Sequence, residues 1–440
     1  MTNTPSTIAI VGGGFLGLEL ARQLRAAGNE VTLFDAAPHF GGLADAWQVG
    51  DITWDRHYHV TLLSDTRLRA LLEDLNLADQ LNWVETKTGF YTDGKLVSMS
   101  NSVEFLKFPP LRLLDKFRLG FTIFYASKIK NWKRLETVSV AEWLRKWSGK
   151  RTTEKIWIPL LKAKLGENYQ HASAAFIWAI IARMYAARRS GLKKEMFGYV
   201  RGGYARVLDA FVKSLAEAGV TLRPGTPVQT VERVNDELAV TTASGETLPF
   251  DKVIITAAAQ QAVRLCPGFT PVERDQHSAL RYQGIVCASL VLKKPLANYY
   301  VTNITETWVP FTAVIEMTTL VNPAEFGGQH LVYLPKYVDP TDPLFEASDE
   351  VIRESFVTAL AKMYPDFKTD DVLAFKVSRV RHVLAISTIN YSANLPPMTT
   401  SVPGLSLVNS SQIVNGTLNV NETLMLADRA MTLLQAEVRS

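Results

Sequence analysis

The sequence predicts an α/β fold, and three observations point to it. Near the start an apolar run of strand length, Ile8-Ala9-Ile10-Val11, passes at once into a glycine turn and then a helical pattern. Farther along, short β-branched runs recur between turn residues, among them Val253-Ile254-Ile255 and Ile285 to Leu292. Between these lie longer stretches with apolar residues at helical spacing. Composition agrees: 440 residues, 47% apolar and 20% charged, suit a globular chain of two or three domains, or one large domain with an insertion. They exclude a disordered tail, a collagen-like fibre or a small disulfide-stapled module. The net charge of +4 argues against a dedicated nucleic-acid binder. Cys266 and Cys287 are the only cysteines and lack a CxxC or Cys/His ligand spacing, so they are expected to be buried thiols in a reducing cytoplasm, with no disulfide framework and no metal site. The start, Met1 to Thr7, has no basic segment and does not fit a signal peptide. The most membrane-like stretch, Ala172 to Ala182, is stopped by Arg183 well short of the ~20 residues a span needs, and is expected to be a buried helix.

The glycine turn carries the first chemistry. Gly12-Gly13-Gly14-Phe15-Leu16-Gly17 has the GxGxxG spacing directly after a strand, Leu18 to Arg25 is helical in pattern, and Gly28 can cap it. Val31-Thr32-Leu33-Phe34 reads as the next strand, ending at Asp35, 18 positions beyond Gly17. A dinucleotide-binding unit needs these parts: Gly12 for the tight turn, Gly14 for close backbone approach, Gly17 for helix against strand, and a carboxylate at that distance to accept the ribose hydroxyls. The helix N-terminus, around Phe15 and Leu16, then faces the pyrophosphate.

Directly after Asp35 and Ala36, a second glycine pair, Gly41-Gly42, follows the short stretch Ala37-Pro38-His39-Phe40. This resembles the extended FAD fingerprint of the flavin amine oxidase superfamily, which also holds phytoene desaturases, protoporphyrinogen oxidases and, more distantly, UDP-galactopyranose mutases. The resemblance implies FAD as cofactor, with Gly41, Gly42 and Leu43 against it. Many family members have an Arg where this chain has Leu43, so any contact that Arg makes must be lost or supplied elsewhere.

The resemblance also implies the organisation of the chain: a Rossmann-like FAD-binding domain, a parallel sheet plus β-meander, interleaved with an α+β substrate domain. The expected FAD segments are 1–70, 196–284 and 376–440; the expected substrate segments, with a helical lid, are 71–195 and 285–375. Tyr199 to Val207 is similar to the family's glycine-pair element before its second FAD segment. Thr221 to Val234 then alternates toward a turn at Asn235-Asp236, and Leu238 to Thr242 runs to a turn at Ser244-Gly245, a meander that closes with Phe250 to Ala258. In relatives the position matching Val228 holds the adenine, and the resemblance implies Ala257, on the returning strand, as a further cofactor contact. Asn409 and Ser410 stand where the family's last strand ends in Gly-Asp, and Leu418, Asn419 and Val420 precede a terminal helix whose amides would face the pyrimidine edge of the flavin.

The inserts read as a helical set over strands. Helices are expected over Arg67–Leu77, Leu111–Trp132, Val140–Trp147, Thr153–Leu165 and Ser173–Ala187, and strands over Ile285–Leu292, Thr312–Glu316 and His330–Leu334. No internal repeat or low-complexity tract occurs.

FAD can accept a hydride with little protein help, so the remaining work is to position substrate, exclude water and tune the ring. The densest polar cluster is Trp54-Asp55-Arg56-His57-Tyr58-His59. In an extended strand His57 and His59 share a face opposite Tyr58, and either is read as an acid/base or a flavin contact, with a structural histidine as the alternative. Arg379, Arg381 and His382 near Asn390-Tyr391 form a second group: Tyr391 as an aromatic wall, Arg381 as an anion contact, or plain strand charges. Glu316 with Tyr333, Lys336 and Tyr337 is a weaker candidate. From Lys107 to Lys146 basic and aromatic residues interleave, which fits either a membrane surface or a helix with a solvated basic back.

The expected activity is an FAD-dependent oxidoreductase that dehydrogenates or desaturates a lipophilic or ring substrate. A redox-neutral flavoenzyme similar to UDP-galactopyranose mutase, acting on a sugar nucleotide, and a non-catalytic flavin-binding protein are the alternatives. The expected partner is a small-molecule substrate and no nucleic acid; peripheral contact with the inner face of a membrane and a homodimer stay open.

Overall fold

The computed structural model describes residues 5–187, 196–414 and 416–437; the Met1–Thr4 start lies outside them. Five parallel strands carry the glycine turn: β1 (Thr7–Val11), β2 (Glu30–Phe34), β3 (Thr221–Arg223), β4 (Lys252–Ile255) and β5 (Leu405–Leu407). Their spatial order is β3-β2-β1-β4-β5 with every pairing parallel. Strand order therefore reverses between β1 and β4, and a ligand crevice opens at the carboxyl ends of those two strands. β1 is apolar on both faces because both are covered: Ile8 and Ile10 pack with the Phe15–Ala26 and Val420–Glu437 helices, Ala9 and Val11 with the meander.

The alternation over Thr221–Val234 serves two sheets, where the sequence suggested one strand. At Pro224-Gly225 the chain turns, leaving Thr221–Arg223 beside β2 in the parallel sheet. Val228–Val234, Glu237–Thr242 and Thr247–Phe250 then form the three-stranded meander, and β4 returns to the parallel sheet.

The three strands expected in the second insert lie in a seven-stranded sheet, ordered Val372–Ala385, Tyr282–Leu292, His330–Val338, Ala313–Glu316, Val301–Ile304, Thr88–Thr92, Lys95–Ser98. Tyr282–Leu292 is buried at every position, and its alternate residues serve two cores. Val286, Ala288 and Leu290 pack with the Asp349–Met363 helix, whereas Ile285, Cys287 and Val291 pack with Trp54, Leu62 and Tyr199 on the side of the parallel sheet. The Val372–Ala385 strand passes straight through position 376 and stays in this sheet.

The helices Leu113–Lys128, Val140–Ser148, Ile158–Leu165 and Ala174–Ala187 share one core. The membrane-like stretch is buried there, and Trp178 Nε1 donates to the Ala126 carbonyl at 3.1 Å. Among the described residues no helix is long and apolar enough to cross a membrane. Cys266 and Cys287 are free and buried, and burial pushes the Cys266 thiol up to about 12.

Candidate active site

The site begins where β1 stops. Gly12 adopts φ +112°, and a Cβ on Gly17 would land on the Gly12 carbonyl oxygen, so the helix can approach the strand only through glycine. Gly14 differs: the nearest atoms to a Cβ there are Gly42 Cα at 3.9 Å and Gly41 O at 4.0 Å, which leaves room in front of the helix. Gly14 is also the N-cap of the Phe15–Ala26 helix, with no side-chain cap and no acidic residue in the first turn. Its free amides and dipole suit a pyrophosphate. Asp35 directly follows β2, with Oδ2 accepting from Gly13 N at 2.6 Å and Oδ1 from Ala37 N at 2.7 Å, and each oxygen keeps a lone pair for a ribose hydroxyl.

The other expected cofactor residues converge on this turn. Gly41 N donates to Gly13 O at 2.8 Å, which lays the glycine pair against the fingerprint. Gly225 N and Thr226 N donate to Ala37 O and Asp35 O at 2.7 and 2.8 Å, which brings Val228 to the Asp35 end. Thr256 Oγ1 donates to Gly12 O at 2.9 Å, setting Ala257 at the β1/β4 crevice. Past β5, Val408 N donates to Ile255 O at 2.9 Å. Asn409 is buried and its Oδ1 accepts from Ser411 N and Oγ at 3.0 and 2.7 Å, so that oxygen is engaged inside the Ser410–Gln412 turn. Asn419 Oδ1 accepts from Glu422 N at 3.1 Å and caps the terminal helix, with Leu418 beside it and Val420 as the first helical residue.

Two residues that sequence reasoning did not place in the cofactor site belong near it. Arg56 Nη2 donates to the Gly42 carbonyl at 2.6 Å, while its Nε is buried without a partner. A cation thus reaches the glycine pair from the neighbouring hairpin, Ala46–Val49 with Ile52–Asp55, although position 43 is leucine. Arg183, on the Ala174–Ala187 helix, bonds Asp65 at 3.0 Å and reaches Thr417 Oγ1 at 3.4 Å, tying the helical insert to the loop before Leu418. Burial raises the nearby Glu422 carboxyl, opposed by Arg183. An uncapped helix end open at Gly14, an acid after β2 and an unpartnered buried guanidinium nitrogen together fit FAD.

The polar cluster at 54–59 separates by function. The strand ends at Asp55, so His57 and His59 do not lie on one strand face. Asp55 Oδ1 accepts from Tyr204 N at 2.7 Å, capping the Gly203–Glu217 helix. A Cβ on Gly203, at φ +68°, would sit 2.7 Å from that oxygen, which accounts for the glycine pair 202–203. His57 is buried, with Nδ1 3.1 Å from Leu43 O and Nε2 3.1 Å from Ser378 Oγ, and burial lowers its pKa to about 3. It is a neutral bridge from the cofactor loop to the seven-stranded sheet. His59 is partly exposed, its ring lies 5.0 Å from that of Tyr204, and its Nδ1 stands 3.7 Å from Asp55 Oδ2 without a hydrogen bond. Tyr58 OH lies 3.1 Å from Tyr337 OH, which Lys164 Nζ approaches at 3.4 Å.

Arg381 does not join the site. Along its strand, Ser378 and Val380 face the cofactor side while Val377, Arg379 and Arg381 face the other. Arg381 pairs with Glu346 and lies over the Phe345 ring; Arg379 pairs with Asp349 at 2.7 Å. Tyr391 is buried, and its hydroxyl donates to Ser411 O at 2.7 Å, which makes it a support for the Ser410–Gln412 turn instead of a wall open to substrate. Glu316 is buried, not outward, and accepts from Leu296 N and Ala297 N at 2.9 and 3.1 Å. Among the described residues no group of acids, histidines and cysteines could hold a metal ion. An open groove of about 910 Å³ beside Trp83, Arg201, Arg206 and Glu325 includes none of the cradle residues in its lining.

A doubly wound sheet whose crevice is fitted in this way defines the chain, by class, as an FAD-dependent oxidoreductase. Residues 17–415 match the family described as flavin containing amine oxidoreductase, and the chain belongs to that family. Among curated proteins it is 23% identical over 215 residues to the 15-cis-phytoene desaturase of Synechococcus elongatus, covering 43% of this chain and 44% of that protein. The chain spans about half the length of the curated relatives it matches. A solved structure assigned as a candidate protoporphyrinogen oxidase from Exiguobacterium sp. 255-15 superposes with a TM-score of 0.77 at 17% identity, covering 99% of each chain. Reduced UDP-galactopyranose mutase superposes with a TM-score of 0.72 at 14% identity, covering 97% of this chain and 96% of that one. At these identities the likeness to the solved structures is one of fold.

Proposed function

We propose that the enzyme dehydrogenates a lipophilic or ring substrate, drawing it between the cofactor crevice and the seven-stranded sheet. One observation carries this reading. Between His57–Val60 and the seven-stranded sheet the half-buried side chains are apolar or phenolic, Tyr58, Val60, Tyr337, Val380 and Val383, backed by the packed residues Ile285, Cys287, Val291, Leu331 and Tyr333. An apolar and phenolic wall binds hydrocarbon and excludes water but offers no carboxylate to an ammonium group. FAD, held by Gly12–Gly17, Asp35, Gly41–Gly42 and Arg56, supplies a hydride acceptor.

The chain's own residues bind, orient and handle the proton. Tyr333 OH donates to the Asp55 carbonyl at 2.5 Å and locks the wall to the hairpin that bears Arg56. His59, partly exposed beside the Tyr204 ring and 3.7 Å from Asp55 Oδ2, is the proton acceptor in this reading, taking the proton a substrate releases when it also gives up a hydride.

Anaerobic mixing of the purified flavoprotein with a panel of apolar polyenes, hydroaromatic rings, amines and sugar nucleotides tests the reading. Loss of the visible flavin absorbance with apolar donors supports it. Bleaching by amines alone refutes it, as does turnover of a sugar nucleotide that requires prior reduction with dithionite.

A further inference from the structure

Half of the exposed large apolar side chains among the described residues, seven of fourteen, fall between Val103 and Phe124. They come from two helices, Ser102–Lys107 and Leu113–Lys128. On the second, Leu114, Phe117, Phe121 and Phe124 recur at helical spacing on one face, with Leu113 beside them. Their exposures are 71%, 63%, 53%, 49% and 59%, in that order. The opposite face, with Leu119, Thr122 and Ala126, is buried. Lys116 lies buried between the helices, its Nζ donating to the Leu106 carbonyl at 2.7 Å, which holds Val103 and Leu106 beside the longer helix and extends the apolar surface. At its border the Tyr125 ring lies tilted against Trp147 at 4.2 Å, with Lys146 over the indole at 5.6 Å.

Charge around this surface has one sign. Lys107, Arg112, Arg118, Lys128, Lys130, Lys133 and Arg134 are exposed, and Lys128 Nζ lies 5.3 Å above the Phe124 ring. The two acids within the segment are engaged locally: Glu104 accepts from Ser98 and Ser100, and Asp115 caps its own helix and lies 3.7 Å from Arg151. A second copy docking through this face would bring one cationic rim onto another. Anionic headgroups would meet the rim with opposite charge while acyl chains received Leu114, Phe117 and Phe121. We propose that the Ser102–Lys107 and Leu113–Lys128 helices form an in-plane docking surface for the anionic face of a lipid bilayer. The proposal is independent of which substrate the flavin oxidises.

Flotation of the full-length, FAD-loaded protein with phosphatidylcholine vesicles, and with vesicles containing about one-third phosphatidylglycerol, tests it. The protein should float with the anionic vesicles and lose binding as salt rises. Phe117→Ser and Phe121→Ser should each weaken partitioning about tenfold, the worth of one buried aromatic side chain. Lys128→Glu with Lys130→Glu should weaken binding to anionic vesicles alone. All four positions are exposed, so flavin content and melting temperature should hold. The proposal is overturned if the wild type stays unbound with both vesicle types, or if the phenylalanine variants float as well as the wild type. It is equally overturned if the face dimerises the protein in light scattering and the same substitutions dissolve the dimer without changing flotation. These readouts do not involve turnover, so they fail separately from the proposed activity.

Discussion

Lowering the pH from about 7 to about 5 should destabilise the protein through His57 in particular. Its ring is buried between the Leu43 carbonyl and the Ser378 hydroxyl, and burial lowers its pKa from 6.5 to about 3. The folded state therefore keeps this imidazole neutral while the unfolded chain protonates it at about pH 6.5. Between the two values the unfolded state binds more protons, so the stability is complete above about pH 6.5 and drains away as pH falls toward 3. At about 1.36 kcal/mol per pH, the loss by pH 5 is about 2 kcal/mol, approaching about 5 kcal/mol near pH 3. Denaturant unfolding of the FAD-saturated protein at both pH values, beside His57→Gln, isolates the contribution because the other titrating groups are common to both. The wild type should lose about 2 kcal/mol more than the variant. Equal losses would mean that His57 is solvated or already charged, and the bridge as described would be wrong.

Gly17→Ala should abolish FAD binding and cost about 1–3 kcal/mol or more, since its Cβ meets the Gly12 carbonyl; by contrast Gly120→Ala, with open space around the new methyl, should retain FAD and match or exceed wild-type melting temperature. Asp55→Ala should cost about 1–2 kcal/mol by uncapping the Gly203–Glu217 helix, and a wild-type unfolding midpoint would rule out the cap. Arg56→Ala should weaken FAD binding about ten- to a hundredfold in a fluorescence titration while leaving unfolding nearly unchanged, and an unaltered Kd would remove Arg56 from the site.

The fold was legible wherever one local pattern had one meaning. The strand, glycine turn, helix and acid of Ile8–Asp35 are contiguous, and all four stand where their spacing puts them. The helical insert was legible too, because apolar residues at helical spacing face one shared core. What escaped depends on partners far away in the chain. Asp55 and Tyr204 are 149 positions apart, and His57 and Ser378 are 321 apart, so nothing local marks Asp55 as a cap or His57 as a bridge. Arg381 shares its neighbourhood in sequence with Ser378, yet strand alternation sends the two to opposite faces. Which face is the cofactor side depends on the sheet's packing, which a single strand does not encode.

A crystal structure of the protein with FAD bound tests the central claim most directly. The pyrophosphate should lie against the amides at Gly14–Leu16, Asp35 should meet the ribose, and Arg56 should approach the phosphates or the ring. The flavin should run toward Leu418–Val420 with its open face turned to Tyr58 and Tyr337. A flavin ring turned away from that wall, or seated in the groove beside Arg201 and Arg206, would contradict the account.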